Sequence, residues 1–567
     1  MRTIRRLIAI FMVLFVVAVV VRAQAPAAAP PRDAVIVGAG LAGLTAAVEM
    51  ARAGVNVTVV DMNSMPGGHA VLAGGVAIPG PTPVQEKAGI KDSPDLAYRD
   101  WMEWTVDANP EWTRFYVDNA RPMIYDWVTA LGVEFVRAGG ASGNSVPRFH
   151  FTKGRALHLV LPIYKTAAAM PNVSFIFNAK AERLVVENGA VRGVVIRHLR
   201  TGRDETIRAA HTLLATGGFE SDLERVLDNW TPGLPRPDRL LIGSAISATG
   251  TGHDMATKAG ASLKQIDRHY IYIDGLPDPR DPEGRHALTA GNSAAMWVNA
   301  QGKRFTNEGG FDKVILRDLL NQKPSSYWMI FDEAGRKTFS VRGAAWVSNP
   351  GEAHPILDDA RVTKKGDTIE ALAAAAGLPG DALAASVHRY NELIASGADA
   401  DFKRFAAGGR MPAAIRQGPF YAIQMFPMTR KNMGGVSIDR QARALDRLGR
   451  PVPGLYAAGE ITGSVGINGS HGLDGLFLGP AILTGRLAGQ TIAAAHPGRV
   501  APASRATDLK TPTLPAGIGP DALRPMLARP RDGFWHFEKV HGIVLERKYT
   551  CTQCHVQPLL EVYTNCH

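Results

Sequence analysis

At 567 residues the chain is too long for a single small core, so we expect two or three domains. Its 46% hydrophobic and 20% charged residues are typical of a globular protein and exclude a disordered or polytopic membrane class. The formal net charge is +11, but four basic residues lie in the first 25 positions and no basic run interleaved with aromatic residues follows. We therefore expect no nucleic-acid partner.

The N-terminal segment has the three parts of an export signal. Arginines open it, residues 7–21 form an unbroken apolar run, and Ala23-Gln24-Ala25 offers small residues for cleavage. We assign residues 1–25 as a signal peptide and expect a periplasmic protein that meets the membrane only through this segment. An uncleaved anchor is the alternative, although the run is shorter than the roughly 18–20 residues that a span requires. The Arg5-Arg6 pair also allows twin-arginine export.

A dinucleotide-binding unit of Rossmann type is predicted next. A short buried strand, a glycine-rich turn, a helix and a second strand follow one another at residues 33–61. Gly38 permits a tight turn, Gly40 lets the backbone approach a pyrophosphate, and Gly43 lets the helix pack on the strand. Asp61 follows Gly40 by 21 residues, at a position from which a carboxylate accepts ribose hydroxyls.

Changes in composition predict the domain boundaries further along. Ala/Gly-rich segments continue to about residue 250, where aromatic residues, prolines and charges begin to mix as in an inserted domain. An Ala/Gly-rich composition occurs again later in the chain and is followed by a linker rich in Pro, Ala and Thr. The predicted order is a dinucleotide domain in two parts (33–250 and 376–496), an inserted domain (251–375), a linker (497–525) and a C-terminal module (526–567).

Six further glycine-containing motifs follow along the chain. They are Gly67-Gly68-His69, Ala215-Thr-Gly-Gly-Phe219, Gly302-Lys-Arg-Phe-Thr-Asn-Glu308, Met433-Gly-Gly-Val436, Gly454-Leu-Tyr-Ala-Ala-Gly-Glu460 and Leu478-Gly-Pro-Ala481. With these motifs the chain resembles the fumarate reductase/3-ketosteroid dehydrogenase superfamily of FAD flavoproteins, of flavocytochrome c type. The resemblance implies an α/β fold: a Rossmann-like FAD-binding domain, an inserted α+β substrate-capping domain and a short C-terminal haem-binding tail.

The resemblance also implies which residues bind FAD. The Gly459-Glu460 pair should hold the ribityl chain, and a helix that begins near Gly479 should direct its N-terminus at the flavin, where it favours the reduced anion. His69 lies where related flavoproteins sometimes attach FAD, which leaves covalent attachment open. The implied FAD residues are Gly38, Gly40, Leu41, Ala42, Gly43, Asp61, Gly67, Gly68, His69, Gly74, Gly75, Ala181, Thr216, Gly217, Gly218, Asp254, Gly459, Glu460, Gly475, Leu476 and Gly479.

Two arginines of the soluble fumarate reductases have no counterpart here. Glycines follow Asn307-Glu308 where that family places an acid arginine, and the loop 469–474 lacks the substrate-clamping arginine. Residues 288–291 also lack the family's acid/arginine relay, and Lys431 replaces a family histidine. Because one bidentate arginine grips one carboxylate, the loss of both implies a small organic substrate other than fumarate.

Five residues are the candidates for proton transfer: His471, Lys431, His69, His269 and Tyr272. His471 and His69 adjoin glycine turns that should line the flavin, although most histidines are surface or satisfied core residues. Lys431 is suited to bind a monocarboxylate or polarise a carbonyl, and Tyr272 to carry a proton as in the ketosteroid dehydrogenases. A tyrosine on a strand is more often a core residue.

The C-terminal module carries a haem-attachment pattern, Cys551-Thr-Gln-Cys554-His555. Two thiols with this spacing add to the porphyrin vinyl groups, and the histidine ligates the iron. We predict haem c on Cys551 and Cys554, with His555 and His541 as iron ligands. A zinc site formed by Cys551, Cys554 and Cys566 is the alternative.

Together these features predict an exported FAD-dependent oxidoreductase. FAD would exchange a hydride at an activated C=C/C–C bond, and the haem would pass electrons to or from a cytochrome or quinol-linked carrier. One alternative is an electron-transfer flavocytochrome subunit that serves a partner enzyme; another is a flavin oxidase whose tail binds zinc. The sequence leaves the substrate, the direction of the reaction and the oligomeric state open.

Overall fold

The computed structural model describes most of the chain between residues 32 and 503. The described ranges are 32–153, 156–309, 312–342, 355–406 and 411–503. The predicted signal peptide and C-terminal module lie outside the described residues, and so do the predicted haem residues Cys551, Cys554, His555 and His541.

An eight-stranded sheet forms the dinucleotide-binding unit. From one edge its strands are Arg443–Leu445, Pro451–Ala457, Asp204–Leu214, Arg32–Val37, Val57–Val60 and Val173–Ile176, with Ala190–His198 also paired to Asp204–Leu214 and Ala179–Glu187 paired to Ala190–His198. In the parallel part of the sheet, Val37 lies opposite both Val60 and Leu214. The turn after Val37 and the side chain of Asp61 therefore lie at the same carboxyl edge of the sheet.

Close helix packing positions this edge. The first helix, Leu41–Arg52, packs against the last described helix, Leu478–Ala494. A β-carbon at Gly43 would lie 2.0 Å from the carbonyl oxygen of Gly38, and one at Gly485 would lie 2.5 Å from the backbone of the first helix. Only glycine fits at these two positions, so they determine how near the helices lie to the turn.

A second eight-stranded sheet forms the inserted unit. Its order is Met296–Val298, Tyr327–Phe331, Phe420–Asn432, His269–Pro277, Ala287–Asn292 and Phe339–Arg342, with Leu241–Ile242 and Thr363–Gly366 also paired to Phe420–Asn432. The sheet therefore draws on residues 241–432, whereas composition placed the inserted domain at 251–375. The difference arises because the central strand, Phe420–Asn432, runs directly into the Met433 motif without a change of composition that would mark a boundary.

The remaining elements pack around the two sheets. Small sheets pair Leu263–Lys264 with Gly435–Val436, and Phe149–Thr152 with both Val76–Ala77 and Phe135–Gly139. The other helices are Pro83–Lys87, Pro94–Thr105, Pro110–Ala120, Asp126–Ala130, Leu157–Ala168, Leu223–Asp228, Thr251–Lys258, Asp312–Leu320, Glu333–Arg336, Ile369–Ala376 and Gly380–Ser396. Over the described ranges, we find no helix with the length and apolarity needed to cross a bilayer.

A buried ion pair stabilises the helical region beside the first sheet. The side chains of Arg148 and Asp92 are fully buried, with Nη2 of the arginine 2.7 Å from Oδ1 of the aspartate. Arg148 also contacts Asp100, and the N–H of Gly80 donates to Asp92. Two buried charges are tolerated while they remain paired and hydrogen-bonded, but either one alone is strongly unfavourable.

We therefore expect Arg148→Met to destabilise the fold by about 3–5 kcal/mol, because it leaves the Asp92 carboxylate buried without its cation. The measurement is the thermal unfolding midpoint of the purified protein. Arg114→Met is the matched control, because its acidic partners are exposed and its loss should cost about 1 kcal/mol or less. Equal shifts for the two variants would contradict this expectation.

Candidate active site

A cavity of about 650 Å³ lies between the carboxyl edge of the first sheet and the second sheet. Three of the predicted proton-transfer residues, His69, Tyr272 and Lys431, line it, whereas His269 pairs with the buried carboxylate of Glu220. The predicted FAD residues that line it are Gly38, Gly40, Leu41, Ala42, Asp61, Gly67, Gly68, His69, Gly74, Gly75, Ala181, Thr216, Gly217, Gly218, Gly459, Glu460 and Gly475.

Three other predicted FAD residues lie in packing contacts beside the cavity. Gly43 allows the first helix to approach the strand before it, as the sequence pattern predicts. Gly479 faces Tyr116, whose hydroxyl would lie 1.8 Å from a β-carbon at this position. The side chain of Leu476 is fully buried in the core. These residues shape the walls of the cavity from behind.

Asp254 is placed on the surface of its helix, away from the cavity. Its carboxylate pairs with Arg225, with Nη1 2.9 Å from Oδ1. Thr251 and Met255 of the same helix line the cavity instead. The helical turn thus brings neighbouring positions to the cavity and directs Asp254 outward.

The glycine-rich turn presents backbone N–H groups to the cavity. Gly38 has φ of +111°, a conformation that other residues rarely adopt, and a β-carbon at Gly40 would have no neighbour within 4 Å. Gly40 begins the first helix without a side-chain cap, and the first turn holds no acidic residue. This helix N-terminus therefore offers N–H donors and positive partial charge to an anion such as a pyrophosphate.

Asp61 is a buried carboxylate at the same edge. Its Oδ2 accepts a hydrogen bond from the N–H of Ala39, and its Oδ1 accepts one from the N–H of Asn63, both at 2.7 Å. Burial raises the pKa of Asp61 to about 6, and the two backbone hydrogen bonds only partly oppose that shift. A ribose diol that donates to this carboxylate would stabilise its charged form, so the site fits the adenosine ribose of FAD.

Glu460 and His69 form a partly buried pair in the lining of the cavity. Nδ1 of His69 lies 3.4 Å from Oε2 of Glu460, and the N–H of Asn432 donates to Oε1 at 3.2 Å. Burial would raise the pKa of Glu460, but its contacts with His69, the backbone N–H of Asn432 and the charge of Lys431 together lower it. Burial also lowers the pKa of His69, which keeps this histidine neutral at pH 7.

The helix Leu478–Ala494 directs its N-terminus at the cavity. Phe477, Leu478 and Ala481 line the wall, and the helix begins without a side-chain cap or an acidic residue in its first turn. Its positive partial charge therefore acts on whatever occupies this part of the cavity. An uncapped N-terminus fits the edge of a flavin ring that becomes negative on reduction.

Tyr272, Lys431 and Asp474 meet at the end of the cavity formed by the second sheet. The Tyr272 hydroxyl donates to Oδ1 of Asp474 at 2.7 Å, and Nζ of Lys431 lies 3.3 Å from the Tyr272 oxygen. Lys431 also lies over the ring of Phe477, 4.4 Å from its centre, and Tyr270 stacks on the same ring. Burial, followed by the charge of Asp474, holds the pKa of Tyr272 well above 10, so its hydroxyl stays protonated at neutral pH.

His471 is placed away from this cluster. The His471 ring packs against Trp104, with the ring centroids 4.7 Å apart. The backbone N–H of His471 donates to the carbonyl oxygen of Asn468. It does not belong to the described residues that line the cavity. The loop turns sharply at Gly469 and Gly475, both of which have positive φ, and presents Asp474 to the cavity in place of the histidine.

Three residues with polar contacts at the site escaped the sequence analysis: Asn432, Asp474 and Arg430. Asn432 is fully buried, and its Oδ1 accepts a hydrogen bond from the N–H of Phe219 at 2.6 Å. Its position directly before the Met433-Gly-Gly motif was the available signal. Asp474 lies in the loop 469–474, whose sequence does not specify which side chains face the cavity. Arg430 adjoins Lys431 on a strand whose pairing register the sequence does not specify.

Comparison with known proteins places this cavity in context. Residues 33–478 match the family described as FAD binding domain. A fumarate reductase (cytochrome) of Shewanella frigidimarina is 32% identical over 485 residues, which cover 83% of this chain and 79% of that protein. A KsdD-like steroid dehydrogenase of Mycobacterium tuberculosis is 30% identical over 539 residues, which cover 81% of this chain and 95% of that protein.

A similar fold occurs in a solved structure. The open conformation of a flavocytochrome c3 fumarate reductase superposes with a TM-score of 0.69 at 27% identity, covering 84% of this chain and 80% of that one. The predicted family resemblance is thus confirmed, and so is the predicted α/β fold of a flavoprotein.

The pKa of Asp61 predicts how FAD affinity changes with pH. Ribose hydroxyls favour the ionised carboxylate, so FAD binding releases a proton wherever Asp61 is protonated beforehand. We expect FAD affinity to fall as the pH drops below about 6, by up to about tenfold per pH unit. Titration of the apoprotein with FAD between pH 5 and 8, followed by quenching of flavin fluorescence, measures the slope.

Two variants make this measurement specific. Asp61→Asn cannot ionise and should bind FAD more weakly with a flat pH dependence. Asp33→Asn, at the opposite end of the strand Arg32–Val37, should keep the wild-type slope. An unchanged slope in Asp61→Asn would mean that another group is responsible.

Proposed function

Because this chain belongs to the FAD binding domain family and is an FAD-dependent oxidoreductase that acts on CH–CH groups, we propose that it transfers a hydride at an activated C=C or C–C bond of a small organic substrate other than fumarate. The observation that best supports this is the meeting of Tyr272, Lys431 and Asp474 in the same cavity as the glycine-rich turn. The residues expected to bind the dinucleotide and those proposed to transfer a proton line the same cavity.

The residues of the cluster have complementary roles. When bound, FAD supplies or accepts the hydride. Tyr272 is protonated at neutral pH, so its hydroxyl is the proton donor in a reduction. In a dehydrogenation the same oxygen takes up the substrate proton while its own proton passes to the carboxylate of Asp474, which accepts its hydrogen bond. Asp474 orients the hydroxyl, and the ammonium group of Lys431 stabilises the oxygen when it carries negative charge.

The charges that line the cavity support a substrate other than fumarate. Among the described residues of the lining, Arg430 is the one arginine. A dicarboxylate is best held by two bidentate arginines, one for each carboxylate. The relative from Shewanella frigidimarina is named a fumarate reductase, so the substrates of the two proteins would differ although the fold is shared.

We also propose export and a haem relay. The basic and apolar N-terminus supports transport to the periplasm, and Cys551, Cys554 and His555 support covalent haem c, with His541 as the second iron ligand. A haem would pass single electrons between the flavin and an external carrier, a cytochrome or a quinol-linked protein. The word cytochrome in the name of the Shewanella frigidimarina relative agrees with this arrangement.

A flavin assay with Tyr272→Phe tests the proposed reaction. The dithionite-reduced holoprotein is mixed anaerobically with crotonate, cinnamate and a 3-ketosteroid enone, and the return of oxidised-flavin absorbance is followed. We expect at least one of these compounds to reoxidise the flavin, and Tyr272→Phe to slow that step about 10²–10⁴-fold because it removes the proton donor.

The control is Tyr98→Phe, a partly exposed tyrosine that lies under Arg114 and not at the cavity. It should react at the wild-type rate. The proposed function fails if FAD-loaded protein is neither reoxidised by any of these compounds nor bleached by their saturated counterparts.

The haem proposal has its own test. Protein produced with haem-maturation proteins and reduced with dithionite should show the α-band of a c-type haem. The double variant Cys551→Ser/Cys554→Ser should lose the band and keep its FAD, because the predicted FAD residues in the cavity lining lie between Gly38 and Gly475. Stoichiometric zinc without the α-band would favour the zinc alternative.

A further inference from the structure

The central strand of the second sheet, Phe420–Asn432, contains an irregularity at the cavity. Lys431 and Thr429 lie opposite consecutive residues of the neighbouring strand, so Arg430 between them is the extra residue of a β-bulge. In a regular strand, consecutive side chains point to opposite faces of the sheet. Arg430 and Lys431 nevertheless both line the cavity. The bulge thus turns two adjacent cations toward the same space.

Arg430 has no carboxylate partner among the residues that the structure describes. Its guanidinium donates to the carbonyl of Gly243 and, at 3.5 Å, to that of Leu72, while its Nε is buried without a hydrogen-bond partner. Arg148 and Arg304 differ in this respect, because each of them pairs with two carboxylates. A partly buried guanidinium whose Nε has no acceptor is stabilised when a ligand supplies that acceptor and the opposite charge.

The acidic residues that line the same end of the cavity do not compensate Arg430. Asp474 accepts from the Tyr272 hydroxyl, and Glu308 pairs with Arg304. The guanidinium carbon of Arg430 lies 5.6 Å from the centre of the Tyr272 ring. The positive charge of Arg430 therefore lies close to the proposed proton donor. The pyrophosphate of FAD is expected at the glycine-rich turn instead.

We propose that Arg430, assisted by Lys431, binds a single carboxylate of the substrate. The substrate is then an α,β-unsaturated monocarboxylate, or its saturated counterpart, and this inference rests on the proposed function. One guanidinium fork matches one carboxylate. Phe149, Trp297 and Phe477 line the cavity and provide apolar, aromatic surface for the rest of the molecule. Placed here, the carboxylate activates the adjacent C=C bond next to Tyr272.

Binding to the oxidised holoprotein tests the carboxylate requirement directly, because oxidised flavin does not reduce an enoate. Cinnamate and crotonate are titrated beside cinnamamide and crotonamide, and binding is read from the difference spectrum of the flavin. We expect the carboxylates to bind at least about tenfold more tightly than the amides. Arg430→Gln should weaken carboxylate binding about 10–100-fold while amide binding, FAD content and the thermal midpoint stay unchanged.

Two further variants complete the experiment. Arg430→Lys keeps the positive charge but loses the bidentate hydrogen bonding of the guanidinium. It should therefore bind carboxylates with intermediate affinity. Arg443→Gln removes a surface arginine that pairs with Asp439 and should behave like the wild type. Wild-type carboxylate affinity in Arg430→Gln overturns the inference. Loss of FAD from that variant also overturns it, because the arginine would then serve the cofactor.

The outcomes also separate this inference from the proposed function. Turnover of a neutral enone by protein that binds neither carboxylate overturns the monocarboxylate inference and leaves the proposed function intact. A protein that retains FAD but transfers no hydride to any compound overturns both.

Discussion

The contact between Gly43 and Gly38 is the constraint on which the rest of the site depends. A β-carbon at Gly43 would lie 2.0 Å from the Gly38 carbonyl oxygen, so glycine alone allows the first helix to begin so near its strand. That approach aims the N-terminus of the helix at the cavity. The parallel register places Asp61 at the same edge, and the glycine contacts of Leu478–Ala494 bring a second helix N-terminus to the cavity.

Burial governs the behaviour of the ionisable groups around this cavity. Burial raises the pKa of Asp61 to about 6, whereas His69, the backbone N–H of Asn432 and the charge of Lys431 together lower the pKa of Glu460. Tyr272 is kept protonated by burial and by the nearby charge of Asp474. Each group thus has the protonation state that its role requires. Arg430 differs, because the structure surrounds it with carbonyl oxygens and an aromatic ring instead of a carboxylate.

The comparisons with known proteins indicate the family and the type of reaction, whereas the cavity lining indicates which substrates fit. Proteins named fumarate reductase and steroid dehydrogenase both align with more than four-fifths of this chain, so the scaffold serves substrates of different charge and size. The dinucleotide half of the cavity is lined by the glycine-rich turn and Asp61, as the sequence predicts. The second sheet carries the features that differ, and there the bulge at Arg430 and the Tyr272 cluster determine what the flavin would meet.

The sequence by itself determined the local parts of this protein. The strand, glycine turn, helix and Asp61 are specified within a few dozen neighbouring residues, because tight turns and close helix packing require particular residue types. Tertiary structure decided which distant residues meet. The bulge in the strand pairing places Arg430 in the lining of the cavity. The loop that contains Gly469 places Asp474, and not His471, in that lining. The helix that contains Asp254 directs this residue to the surface. Residue type reveals the chemistry a side chain can perform, but its direction depends on strand pairing and loop geometry, which arise only when segments far apart in the chain pack together.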